Sequence, residues 1–137
     1  YYPVSIKDLN KTDKRESGYC RVKVEGKDLS FYGKKIKTKN KNFWVYAANP
    51  GKIKKPTNSH PIVQSYVDLF IGGCFQIKER YKINEFPKQC VETTTEWSKH
   101  WVNDRVHARR PFLVSNFYKI DNLLSNFFDY YLDNKYQ

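Results

Sequence analysis

Val67 to Arg80, VDLFIGGCFQIKER, is the one long apolar run in a chain that is otherwise polar and basic, and whatever the chain folds into has to bury it. Val67, Leu69 and Ile71 fall on one parity and Phe70 and Gly72 on the other, with no polar residue after Asp68 until the glycines have passed. Phe75 and Ile77 then resume alternation, as in a strand buried on both faces at one end and on one face at the other. Glycine weakens a strand interior by about 0.5–1 kcal/mol relative to alanine, so Gly72-Gly73 marks a bend or bulge. A sheet bent there curls toward a barrel. The plainer alternative is the central strand of a small sandwich with the glycines in a loop.

A chain of 137 residues fits one domain, and a domain of that size buries roughly two-thirds of its unfolded surface, enough to fold without staples. Cys20, Cys74 and Cys90 are odd in number and in no CxxC spacing, which indicates neither a disulfide framework nor a zinc site and points to a reducing compartment. Cys90, His100 and His107 make at best a strained metal set, so no metal or cofactor is expected. No run of 18 apolar residues is present, so no membrane partner is expected. The chain starts at Tyr1 and not Met, which reads as a piece of a longer protein.

Net charge is +11, and it is unevenly spread. Leu29 to Val67 holds eight lysines (34, 35, 37, 39, 41, 52, 54 and 55) and no acid, whereas residues 1–28 carry seven basic and five acidic side chains and residues 68–137 carry ten and nine. Such a local surplus gathers a polyanion, because each neutralised phosphate releases counterions. Phe31, Tyr32, Phe43, Trp44 and Tyr46 are interleaved with these lysines, and single-stranded bases stack on such rings at about 1–3 kcal/mol each. The competing explanation is a solvated lysine face in a sequence of AT-rich coding bias.

In chain order, SIKDLNKTDKRESG suggests one short ordered turn and then a loop. Tyr19 to Leu29 alternates as a strand closed by Glu25-Gly26-Lys27. Leu29 begins a second strand, with a bulge at Gly33 to Lys35, that continues through Ile36. Asn42 to Ala48 is a third, closed by the Asn49-Pro50-Gly51 turn. KIKKPTNSHP leaves room only for a short peripheral strand. Tyr81 to Arg110 reads as a long excursion, with a short helix from Glu92 to Val102 placing Trp97 and Trp101 on one face. Phe112 to Tyr118 is a strand, and Asp121 is placed to cap a helix to about Asp133. Leu123, Leu124, Phe127, Phe128, Tyr131 and Leu132 form a broad apolar stripe on that helix, partly core and partly a face for a partner.

This order resembles the OB-fold domain of the STN subunit of the CST (CTC-STN-TEN) telomere complex, itself akin to the middle subunit of replication protein A. SIKDLNKTDKRESG looks like the amphipathic lead-in, RVKVEGKDLSFYGKKIK the short strand and first barrel strand with its glycine at Gly33, NFWVYAANPGK the second strand and its turn, VDLFIGGCFQIKER the glycine-bent strand, and FLVSNFYKIDNLLSNFFDYYL the last strand and terminal helix. The resemblance implies a mainly β fold: one five-stranded OB-fold barrel with a C-terminal α-helix, with lead-in 1–18, barrel 19–118 interrupted by excursion 81–111, and helix 121–133. Two departures stand out: the lysine-rich KIKK where the family has a hydrophobic third strand, and the length of the excursion.

The resemblance implies a non-catalytic nuclear, telomeric subunit. Its partners would be a TEN-like small OB-fold subunit, a CTC-like large subunit and single-stranded telomeric DNA, with telomerase and DNA polymerase α-primase as functional contacts in telomere maintenance and C-strand fill-in. Residue types place DNA contacts at Tyr32, Lys34, Lys35, Lys37, Phe43, Lys52, Lys54, Lys55, Arg80 and Tyr81, with Trp44 and Tyr46 facing either way. Leu123, Leu124, Phe127, Phe128, Tyr131 and Leu132 would form the partner interface. Two alternatives stay open: a purely structural dimerisation domain without its own DNA binding, and a PUA-like barrel reading RNA or a modified base between Trp97 and Trp101. Glu92, Glu96 and Asp104 lie near His100 and His107 in sequence but form no compact metal-binding set, so no enzyme is expected.

Overall fold

A computed structural model describes residues 4–32, 37–110, 115 and 117–131. The chain divides into two compact units, Tyr1–Lys54 and Lys55–Gln137.

The first unit opens with helix α1, Ile6–Arg15. Ser5 caps it: its hydroxyl oxygen accepts from the Asp8 N–H at 3.1 Å and its O–H donates to the Asp8 carboxylate at 2.6 Å. Asp8 in the first turn and Lys14 and Arg15 in the last complement the helix dipole. Strands β1 (Tyr19–Val24) and β2 (Phe43–Ala48) then pair antiparallel, with Tyr19 opposite Ala48 and Val24 opposite Phe43. Asn49 closes β2 by accepting from the Gly51 N–H at 3.1 Å, in a short 3-10 turn over Pro50–Lys52. Asp13 ties α1 to the sheet, accepting from Tyr46 Oη at 2.5 Å and pairing with Arg21 at 3.0 Å. No described side chain of this unit is buried.

The second unit is built on α2, Gln64–Tyr81, whose buried residues Gln64, Ser65, Val67, Asp68, Ile71 and Cys74 are linked by i, i+3 and i, i+4 spacings into one face. Lys82 ends it in the left-handed conformation, φ 58°. Helix α3, Phe86–Thr93, starts with Pro87 in its first turn and is tied to α2 by the Cys74–Cys90 disulfide. Strands β3 (Ile62–Val63) and β4 (Trp101–Val102) pair in parallel, and α4, Phe117–Ser125, buries Ile120, Asp121 and Leu124. The core joins Val67, Ile71, Val91, Trp101, Ile120, Leu124 and Tyr131. Full burial of Ile71, Ile120 and Leu124 contributes about 1.5–3 kcal/mol each.

The five-stranded OB-fold barrel is therefore absent. About 47% of the described residues are helical and 13% strand, in two separate two-stranded sheets. The expected glycine-bent strand is α2: a run of 14 residues exceeds an ordinary strand, and Gln64 and Asp68, though polar, belong to its buried helical face. The lead-in is not a single turn but the ten-residue α1. Residues 29–32 are not strand, and Gly33 to Ile36 lie outside the described residues. Of the expected strand 112–118, Phe117 and Tyr118 begin α4 and most of the remainder is likewise outside them. Asp121 is interior to α4, not its cap, and α4 stops at Ser125 instead of continuing to Asp133. The excursion 81–111 contributes α3, β4 and core residues, and the cysteines do form a bridge, one made by helix packing that linear spacing does not reveal. What does hold is the β1 strand, the β2 strand and the turn at Asn49-Pro50-Gly51.

Candidate polyanion-binding surface

The first unit carries fourteen Lys/Arg against five Asp/Glu, a surplus of nine, whereas the second carries eleven against nine. Four of its five acids are already engaged, Asp8 by Lys11, Asp13 by Arg21, Glu16 by Arg15 and Glu25 by Lys23. Lys37, Lys39, Lys41, Lys52 and Lys54 are exposed, and no carboxylate pairs with them among the described residues. Their charge is thus left to solvent and to whatever anion approaches.

The antiparallel register assigns the rings. Arg21 lies opposite Tyr46 and Lys23 opposite Trp44, so Tyr19, Arg21, Lys23, Trp44 and Tyr46 share the face on which Asp13 sits. Phe43 and Val45 take the other face with Val24 and Val22, which settles the parity that sequence left open. Trp44 is 40% exposed with the Arg21 guanidinium 4.8 Å from its ring centre, and Tyr32 is 59% exposed. Burial comes first in lifting the Tyr46 hydroxyl above its usual range, followed by its hydrogen bond to Asp13, and the phenol stays neutral at physiological pH.

Of the residues expected to meet DNA, Tyr32, Lys37, Phe43, Lys52 and Lys54 fall in this unit, Phe43 half-buried and the others exposed. Lys34 and Lys35 lie outside the described residues. Lys55 belongs to the second unit and pairs with Glu96 at 3.8 Å. Arg80 and Tyr81 also belong there, exposed at the end of α2 with the guanidinium 5.5 Å from the ring centre. The structure thus gathers half of the set into one unit and leaves the other half undescribed or elsewhere. Lys39 and Lys41 are exposed in the same unit and Arg21 lies over Trp44; the sequence singles out none of the three individually, although the acid-free lysine stretch contains the first two.

The expected partner interface is directed inward. Leu124 and Tyr131 are core residues, and Leu123, Phe127 and Phe128 are half-buried against that core, while Leu132 lies outside the described residues. The aromatic stripe turns inward because the chain bends after Ser125, through Asn126 to Asp129, and Tyr131 returns to the core.

The second unit also holds a polar clasp that sequence reasoning did not find. The Arg105 side chain donates to Asp68 at 2.7 and 2.6 Å and to Asp121 at 3.1 and 2.8 Å. Tyr131 Oη donates to Asp121 at 2.7 Å, and Trp101 Nε1 and Tyr131 Oη both reach Gln64 Oε1. Burial works against the guanidinium charge, but bonds to Asp68 and Asp121 outweigh it and hold the pKa well above the usual arginine value. Burial, then Asp121, pushes Tyr131 far up, so it remains a donor. No buried polar side-chain atom among the described residues lacks a partner, and through Arg105 the clasp ties Asp68 of α2 to Asp121 of α4.

Trp97 and Trp101 do converge, their centres 5.6 Å apart and their planes 11° apart, but through loop and strand and not through the expected helix. They stack directly on each other, with Trp101 edge-on to Tyr131, so the gap a base would enter is filled. Among the described residues no group of three or more His, Cys, Asp or Glu is arranged to hold a metal, and no helix is long and apolar enough to cross a membrane. No family model, no curated protein and no solved structure matches this chain.

Proposed function

We infer that this chain is a non-catalytic binding protein whose N-terminal unit holds a polyanion, with single-stranded nucleic acid as the ligand its side chains suit best. The observation that carries this is the pairing of unneutralised lysines at 37, 39, 41, 52 and 54 with exposed rings at Tyr32 and Trp44 in one small unit. The lysines suit phosphates and the rings suit unstacked bases. The telomere-complex reading loses its support, because the barrel order that carried the resemblance is not the order of this fold. The TEN-like and CTC-like partners drop out of the proposal with it.

A sulfated polysaccharide is the second reading, favoured by the Cys74–Cys90 bridge, since disulfides persist in oxidising compartments and not in the nucleus. Titration of the full chain with a single-stranded oligonucleotide and with heparin across salt concentrations separates the two. Nucleic acid binding predicts a log–log salt slope near −0.7 per phosphate contacted, so about −3.5 for five lysines, and a loss of about 1–3 kcal/mol in Trp44→Ala. Unchanged oligonucleotide affinity in that variant, with heparin bound more tightly than the oligonucleotide, would favour the glycan. Salt-independent or absent binding of both would sink the polyanion reading.

A further inference from the structure

Between α1 and β2 runs an open groove of about 640 Å³, formed wholly within the first unit. Its walls include Val4, Ile6 and Leu9 on one side and Phe43 to Tyr46 on the other, and among the described residues its lining holds two cations, Arg15 and Lys41, and no carboxylate. Lys41 has no ion-pair partner among the described residues, while Arg15 also pairs with Glu16 at 2.9 Å. Ile6 is 79% exposed and Val4, Trp44 and Val45 are each at least 40% exposed, so apolar surface is left to water in a unit with no buried side chain among its described residues.

We propose that this groove binds a single-chain anionic amphiphile, a long-chain fatty acid carboxylate, with the alkyl chain along the α1–β2 wall and the carboxylate at Lys41. The volume falls in the range of small-molecule sites, about 300–1,000 Å³, and such sites are apolar with a few polar groups that fix orientation. Charge complementarity selects the head group: a lining with two cations and no acid favours an anion and disfavours an alkylammonium. The alkyl chain supplies what the described residues of the unit lack, an apolar interior. The groove shares Lys41 and Trp44 with the polyanion surface, but the two proposals are told apart by chain length, because affinity for a polyanion does not depend on a methylene count.

The test is calorimetric titration of the full chain with octanoate, decanoate and dodecanoate below their micelle concentrations, and with dodecyltrimethylammonium as the cationic control. Each added methylene is expected to tighten binding by roughly fourfold up to the length of the groove, half of that per CH₂ being the smallest gain that counts. The cationic control is expected to bind at least about tenfold more weakly, as is dodecanoate to Lys41→Glu. Ile6→Asp serves as the wall variant. Ile6 is exposed in the first turn of α1, where an acid suits the helix dipole, so the fold persists while a carboxylate enters the groove, and dodecanoate binding should be lost. Affinity independent of chain length, or equal for both head groups, would overturn the proposal. So would dodecanoate affinity unchanged in Ile6→Asp, or a dimer in sedimentation that the same variant dissociates, since a second copy would then occupy the groove. Oligonucleotide binding that persists alongside a failed amphiphile titration would leave the polyanion reading standing alone.

Discussion

Arg105 joins the two acids of the clasp. It neutralises two nearly buried carboxylates at once, and Arg105→Met leaves Asp68 and Asp121 facing each other without their cation. Breaking a buried pair on one side destabilises by about 3–5 kcal/mol, so urea unfolding of Arg105→Met should show a loss of that order, partly recovered by adding Asp68→Asn. Asp104 makes a smaller, pH-dependent contribution. Its carboxylate caps α2 by accepting from the Ser65 N–H at 2.8 Å and the Ser65 hydroxyl at 2.7 Å, and it also accepts from the Arg109 N–H at 2.8 Å. Partial burial pushes the carboxyl up, but the Arg109 and Ser65 bonds outweigh it and hold the pKa below the ordinary value. A depressed folded-state pKa stabilises above the unfolded value, about 3.9, and that contribution disappears as pH falls through the folded one. Asp104→Asn should therefore cost about 0.5–2 kcal/mol at pH 7. The gap from the wild type in denaturant midpoint should narrow at pH 3; a gap that is constant with pH would show that charge is not what the cap uses.

At the scale of elements, α2 tests the helix against the bent strand. A Cβ built at Gly73 meets nothing within 4 Å, so Gly73→Ala should stabilise the second unit by about 0.5–1 kcal/mol, read from thermal or urea unfolding. A sheet bent at the glycines would lose stability instead. The same helix explains what sequence could and could not tell. β1 and β2 were legible because alternation and an Asn-Pro-Gly turn are local signals, recorded in neighbouring residues. α2 was not, because its buried face includes Gln64 and Asp68, whose burial depends on Trp101 and Arg105 some 37 positions away. α1 was hidden by its polar composition, although Ser5 and Asp8 stand at capping-box spacing. The lysine surplus was legible as a patch, since charge counts survive errors in fold, but its individual contacts were not, because face assignment needs the β1–β2 register.

Over the whole molecule, stability is unequally divided. The second unit has a core, a clasp and a disulfide, while the described residues of the first hold one α-helix, one antiparallel strand pair and no buried side chain. A crosslink closing a loop of about fifteen residues contributes roughly 3 kcal/mol, so reduction should lower the unfolding midpoint of the second unit and leave the first unaffected. Equal shifts in both would mean that the two units melt together. These transitions can be followed without labels, because Trp44 sits in the first unit and the stacked Trp97 and Trp101 in the second. Two indoles held face to face couple their excited states, and a coupled pair gives a split circular-dichroism band that a solitary indole lacks. The chain thus carries an intrinsic optical signature for its C-terminal half alone, and the disappearance of that band reports the moment its interior comes apart.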